Sequence, residues 1–137
     1  MKKLLILLLL FTFKSNAQIG LQIRGGSTVN SVNPFFAPAA SFSAHGLTIY
    51  PEMKVYIKRD APVNFGAKIG YTYKFIEIGY GRYFDLYSTD AYDKFRNEWR
   101  NLFFVSIHYN NLFLEYDYLK GSSISAGIKA PIEWLQN

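Results

Sequence analysis

The chain has no cysteine. That excludes a disulfide framework and any thiolate metal site, so stability has to come from burial and backbone hydrogen bonding. Long apolar runs are missing too. The greasiest stretch, residues 4–13, is about half the roughly 20 residues that a membrane helix needs, so any crossing of a membrane must use strands. Histidine occurs twice, at His45 and His108, which is too few for a histidine metal centre without other ligands. Helical spacing of apolar residues is confined to Tyr92, Phe95 and Trp99, where a turn or two of helix is expected inside a long connection. An excess of one charge is also absent once the N-terminus is set aside.

That N-terminus reads as a secretory signal over residues 1–17. Lys2 and Lys3 precede the apolar stretch, and Ser15 and Ala17 are the small residues of a cleavage site before Gln18. Losing Lys2, Lys3 and Lys14 lowers the formal charge from +5 to +2, which removes any electrostatic case for nucleic acid. The mature part, 18–137, is short enough to be one domain.

What the chain does have is alternation. Phe65, Ala67, Ile69, Tyr71 and Tyr73 alternate with Asn64, Gly66, Lys68, Gly70 and Thr72; beyond a turn near Lys74, Ile76, Ile78 and Tyr80 alternate with Glu77, Gly79 and Gly81. Side chains along a strand point to opposite faces, so this is a hairpin with one apolar and one polar face. The same period gives eight strands in all, at 19–24, 39–49, 52–58, 64–73, 76–81, 102–109, 112–118 and 123–129. The second needs a β-bulge at Gly46 to keep its phase, Pro51 marks the turn into the third, and the long connections are 25–38 and 84–98. The expectation is an all-β fold, an eight-stranded antiparallel up-and-down transmembrane β-barrel, whose closure removes exposed edges.

Three features place the apolar face outward. Every strand charge except Arg82 shares the polar face: Arg24, Glu52, Lys54, Lys58, Lys68, Glu77, Glu115, Asp117 and Lys129. A charge facing hydrocarbon costs about 2–4 kcal/mol at mid-bilayer, so lipid exposure accounts for the segregation. Gly20, Gly66, Gly70, Gly79, Gly81 and Gly127 also lie on the polar face, where they make room inside a narrow barrel. Tyrosines gather at strand ends, with Tyr71, Tyr73 and Tyr109 toward one rim and Tyr80, Tyr83, Tyr116 and Tyr118 toward the other. The nine charges then form a lumen network that fills the barrel and leaves no wide, porin-like pore.

By this pattern, over the whole mature chain, the sequence resembles the small eight-stranded outer-membrane barrels of the OmpX/OmpA type in Gram-negative cell envelopes. Ser125, Gly127, Ala130 and Ile132 in the last strand partly match that family's assembly signal, and Leu135-Gln136-Asn137 stands where an aromatic would end the chain. The resemblance implies an outer-membrane location, outer-membrane lipid and the barrel assembly machinery as partners, and a monomer.

The expected role is structural or surface-interacting (adhesion-type), without catalysis and without a cofactor. Phe35 and Phe36 in the first long connection, with Tyr92, Phe95 and Trp99 in the second, are the candidate surface-loop contacts for an extracellular partner. Two alternatives stand beside this. A soluble, exported lipocalin-like barrel would bind an apolar ligand inside. A lipid-modifying enzyme at the outer leaflet would use Ser106 and His108, which share the polar face, although no carboxylate is assignable to orient the imidazole.

Overall fold

The two-residue alternation produces eight antiparallel strands: β1 (Gln18–Thr28), β2 (Pro34–Ala44), β3 (Leu47–Tyr56), β4 (Val63–Tyr73), β5 (Ile76–Leu86), β6 (Glu98–Tyr109), β7 (Leu112–Leu119) and β8 (Gly121–Pro131). The structure, a computed structural model, describes residues 18–29, 32–57, 63–86, 98–119 and 121–132. Each strand pairs with its neighbour in sequence, and β1 pairs with β8, so the sheet closes. Following paired residues once round from Ile19 leads through Phe42, Ile49, Ile69, Tyr80, Phe103, Tyr118 and Ser122 to Val29, ten residues further along. An eight-stranded barrel with such a stagger has strands tilted by roughly 40°.

Three two-residue turns, 45–46, 74–75 and 110–111, lie at one rim together with Gln18 and Pro131. The stretches 29–33, 57–62, 87–97 and 120 join strands at the other. We call these the turn rim and the loop rim.

Several local expectations are corrected. Gly46 is no bulge: His45 and Gly46 both have positive φ, 52° and 81°, and together they turn the chain from β2 into β3. A two-residue turn shifts the phase as a bulge does, which is why the two are confused in sequence. Pro51 lies within β3, opposite Ala67 of β4, and starts no strand. Toward β2 the ladder is broken on both sides of Ala39–Glu52, where Pro38 and Pro51 each lack an N–H. The first long connection shrinks from 25–38 to 29–33, because β1 and β2 both run further than their composition suggests. Trp99 sits in β6 instead of a helical turn.

The interior is packed ring against glycine. Inward-facing Gly66 pairs with Tyr83, Gly79 with Phe104 and Gly127 with Phe113, so each aromatic lies over the bare backbone opposite it. A Cβ at Gly79 would overlap the Phe104 ring and the Ile69 carbonyl. We expect Gly79→Ala to destabilise the barrel by about 1–3 kcal/mol through overpacking. Gly25→Ala, with nothing nearer to its Cβ than the Phe35 carbonyl at 3.8 Å, should be nearly neutral. Denaturant midpoints of the two variants check this, and equal midpoints would contradict it.

Candidate functional site

Closure with this parity inverts the usual distribution of polarity. The buried side chains include Arg24, Glu52, Lys54, Lys68, Glu77, Glu115 and Asp117. The outward face carries Ile, Leu, Val, Phe and Tyr along all eight strands, with Arg82 its single described strand charge. Arg82 lies over the Trp99 ring, 5.1 Å from its centroid. The candidate site is therefore the lumen, which holds two polar clusters.

The central cluster is built around Arg24 of β1. Its guanidinium donates to both carboxylate oxygens of Glu52 on β3, at 3.0 and 2.5 Å, and to Asp117 Oδ2 on β7 at 2.7 Å. The same Nη1 lies 2.8 Å from Glu115 Oε1 and donates to Ser125 Oγ of β8 at 3.0 Å. Lys68 of β4 donates to Glu115 at 2.5 Å and sits 3.6 Å from Glu52; Lys54 sits 3.6 Å from Asp117. Three cations thus face three carboxylates, and the Tyr83 hydroxyl donates to Glu52 at 2.8 Å. The Arg fork suits this role because its planar donors span two acceptors at fixed geometry. Six strands, β1, β3, β4, β5, β7 and β8, are tied across the lumen by one side-chain network.

Aromatic rings bound this cluster on both sides. Lys54 Nζ rests 3.9 Å from the Phe35 centroid toward the loop rim. Lys68 Nζ lies 4.6 Å from Phe104 and 5.4 Å from Tyr50, toward the turn rim. Beyond Tyr50 comes the second cluster. Both Glu77 oxygens lie 2.8 Å from the Tyr50 hydroxyl, and His108 Nε2 lies 2.9 Å from Glu77 Oε2. Lys129 Nζ is 3.4 Å from the same hydroxyl and 3.5 Å from Ser43 Oγ. A cavity of about 270 Å³ occupies this end, lined by residues that include Ser41, Ser43, His108 and Lys129.

Glu77 is the carboxylate that the sequence left unassigned for His108. It does not complete a hydrolytic triad, because Ser106 Oγ, at 3.0 Å, meets the same nitrogen as Glu77. A relay needs the acid on one ring nitrogen and the nucleophile on the other. Ser106 is moreover buried. Among the described residues no group of three His, Asp or Glu is arranged to hold a metal ion.

The other sequence candidates distribute as follows. Phe35 is a buried lumen residue of β2 and Phe36 its outward neighbour, so neither belongs to a loop patch. Trp99 is outward on β6, and Tyr83, expected at a rim, is fully buried. Lys58, Tyr92 and Phe95 lie outside the described residues. Phe113 shares the lumen face with Glu115 and Asp117, as its alternation with Leu112 and Leu114 indicates, whereas Tyr50, Tyr83 and Phe104 were not expected as lumen fillers. Inward parity opposite a glycine, Gly66 for Tyr83 and Gly79 for Phe104, was the available signal, and it becomes decisive only once register is known. No family model matches the chain, and no curated protein matches it.

Proposed function

We propose that this chain is an integral outer-membrane β-barrel with a structural or surface-interaction role, and that its lumen is a cross-braced filling instead of a wide pore. The observation that carries the reading is the inversion: a charged, packed interior inside an almost uncharged apolar exterior. In water that exterior would expose apolar surface far beyond what soluble monomers tolerate. In a bilayer it meets acyl chains, and strands of 8 to 12 residues at this tilt match a hydrocarbon band about 25 Å tall.

The aromatic placement supports the same reading. Tyr73 and Tyr109 stand outward at the turn rim. Toward the loop rim, the Tyr80 hydroxyl donates to Asn101 at 2.7 Å, Tyr116 pairs with Ser122 at 2.6 Å, and Arg82 covers Trp99. Rings with polar tips at two levels suit the two water–lipid boundaries. A lipocalin-like role fits poorly, since the volume an apolar ligand would need is taken by ion pairs and rings. The turn rim, carrying both ends of the barrel, then faces the periplasm after export by the signal. Surface interaction falls to the loop-rim connections, Tyr92 and Phe95 among their residues.

The expected result is recovery with outer membranes after carbonate or urea washing, and a gel mobility that changes on boiling. In planar bilayers the folded barrel should give no large, stable conductance steps. Recovery as a monodisperse soluble protein without detergent would overturn the reading.

A further inference from the structure

The cavity at the turn rim holds polar groups that the cross-bracing does not use. Lys129 projects into it, and among the described residues its ammonium has no carboxylate within ion-pair distance. The nearest acid, Glu77, is already engaged by the Tyr50 hydroxyl and His108. Ser41 lines the cavity at 1% exposure, and its hydroxyl has no hydrogen-bond partner.

Buried polar atoms are almost always satisfied, so an orphaned hydroxyl sharing a cavity with an ammonium that has no counter-ion calls for a guest. Here both groups can donate: the Lys129 ammonium, held only by long contacts to the Ser43 and Tyr50 hydroxyls at 3.5 and 3.4 Å, and the Ser41 hydroxyl. The space over Ser41 is kept by a glycine, since a Cβ at Gly20 would stand 2.7 Å from Ser41 Oγ. The central cluster, by contrast, matches its cations to carboxylates and has no place for another anion.

We infer that the turn-rim cavity is a binding site for a small oxyanion, a phosphate or carboxylate group, held by Lys129 with Ser41. The volume of about 270 Å³ admits such a group with its attachment point left at the mouth, where Asn110, Asn111 and Gln18 stand. A charge-assisted hydrogen bond from an ammonium is the strongest contact on offer, and the Ser41 hydroxyl fixes orientation. This site does not depend on the membrane reading, because the barrel would present it equally in detergent or in water.

The test is titration of the purified, folded barrel with inorganic phosphate, read by calorimetry and by phosphorus NMR line broadening. Saturable one-to-one binding is expected. Lys129→Gln should weaken it at least about tenfold, the loss of a charged hydrogen bond, and Ser41→Ala about fivefold. Lys74→Gln, at an exposed turn, should leave it unchanged. Competition by acetate would extend the site to carboxylates, and its failure would restrict it to phosphate; both support an oxyanion site. If Lys129→Gln loses the heat-dependent gel shift of the folded barrel, Ser41→Ala decides the matter. Absence of saturable binding, or equal affinity in the folded variants, overturns the proposal.

Discussion

Replacing Arg24 with methionine is expected to cost the barrel about 3–5 kcal/mol of unfolding free energy, the largest single-residue effect in the lumen. Arg24 is 1% exposed and reaches three carboxylates, two of them on β7 and one on β3. Methionine fills much of the same volume, so the loss is chiefly electrostatic. Glu52 would keep Lys68 and the Tyr83 hydroxyl, and Asp117 would keep Lys54, but both ion pairs are long at 3.6 Å. An uncompensated carboxylate in a water-poor interior is what makes the breaking of such a pair expensive, even where forming it gained little.

The companion variants separate this from simple loss of packing. Arg24→Lys keeps the charge and loses the bidentate fork on Glu52, so it should fall between wild type and Arg24→Met. Arg24→Met with Glu52→Gln should recover part of the loss, because one orphaned charge goes with the cation. Urea unfolding from lipid vesicles, followed by gel mobility, gives the four corners of the cycle for Arg24 and Glu52. Additive effects, or a shift below about 0.5 kcal/mol for Arg24→Met, would mean that the cluster braces nothing.

Much of this was legible in the sequence because period two is a local property. Alternation within 64–81 gives the strands, and it also gives the face shared by Arg24, Glu52 and Lys68. What alternation cannot give is register. Glu77 meets His108 only because β5 and β6 pair Glu77 with Ser106, a register set across the long connection 87–97 that local alternation does not fix. The fit of Phe104 on Gly79 has the same long-range origin. Composition misled at Gly25–Gly26 and Pro34–Pro38, where turn-type residues form strand because β1 and β2 pair residue for residue through them. Phe35, expected in a loop, was thereby carried inward to cap Lys54. Tyr83 shows the reverse case, in which residue type suggested a rim and parity already pointed to the lumen.

Adjacent residues of β4 give the sharpest test of what the exterior faces. Ile69 is 42% exposed to the surroundings of the barrel, while Lys68 beside it is 1% exposed and paired with Glu115. With acyl chains outside, Ile69→Arg places a charge in hydrocarbon near the middle of a strand and should cost about 2–4 kcal/mol in bilayers. The same change at Tyr73, at the turn rim, should cost only about 0–1 kcal/mol, since the charge reaches the interface. A soluble barrel predicts the opposite order of magnitude: arginine on a water-exposed strand face is worth a few tenths of a kcal/mol at either depth and improves solubility. The comparison uses one side chain at two depths on one strand, so differences in strand propensity nearly cancel. A depth-dependent penalty in lipid vesicles that shrinks in detergent micelles assigns the exterior to lipid, and equal small effects at Ile69 and Tyr73 assign it to water.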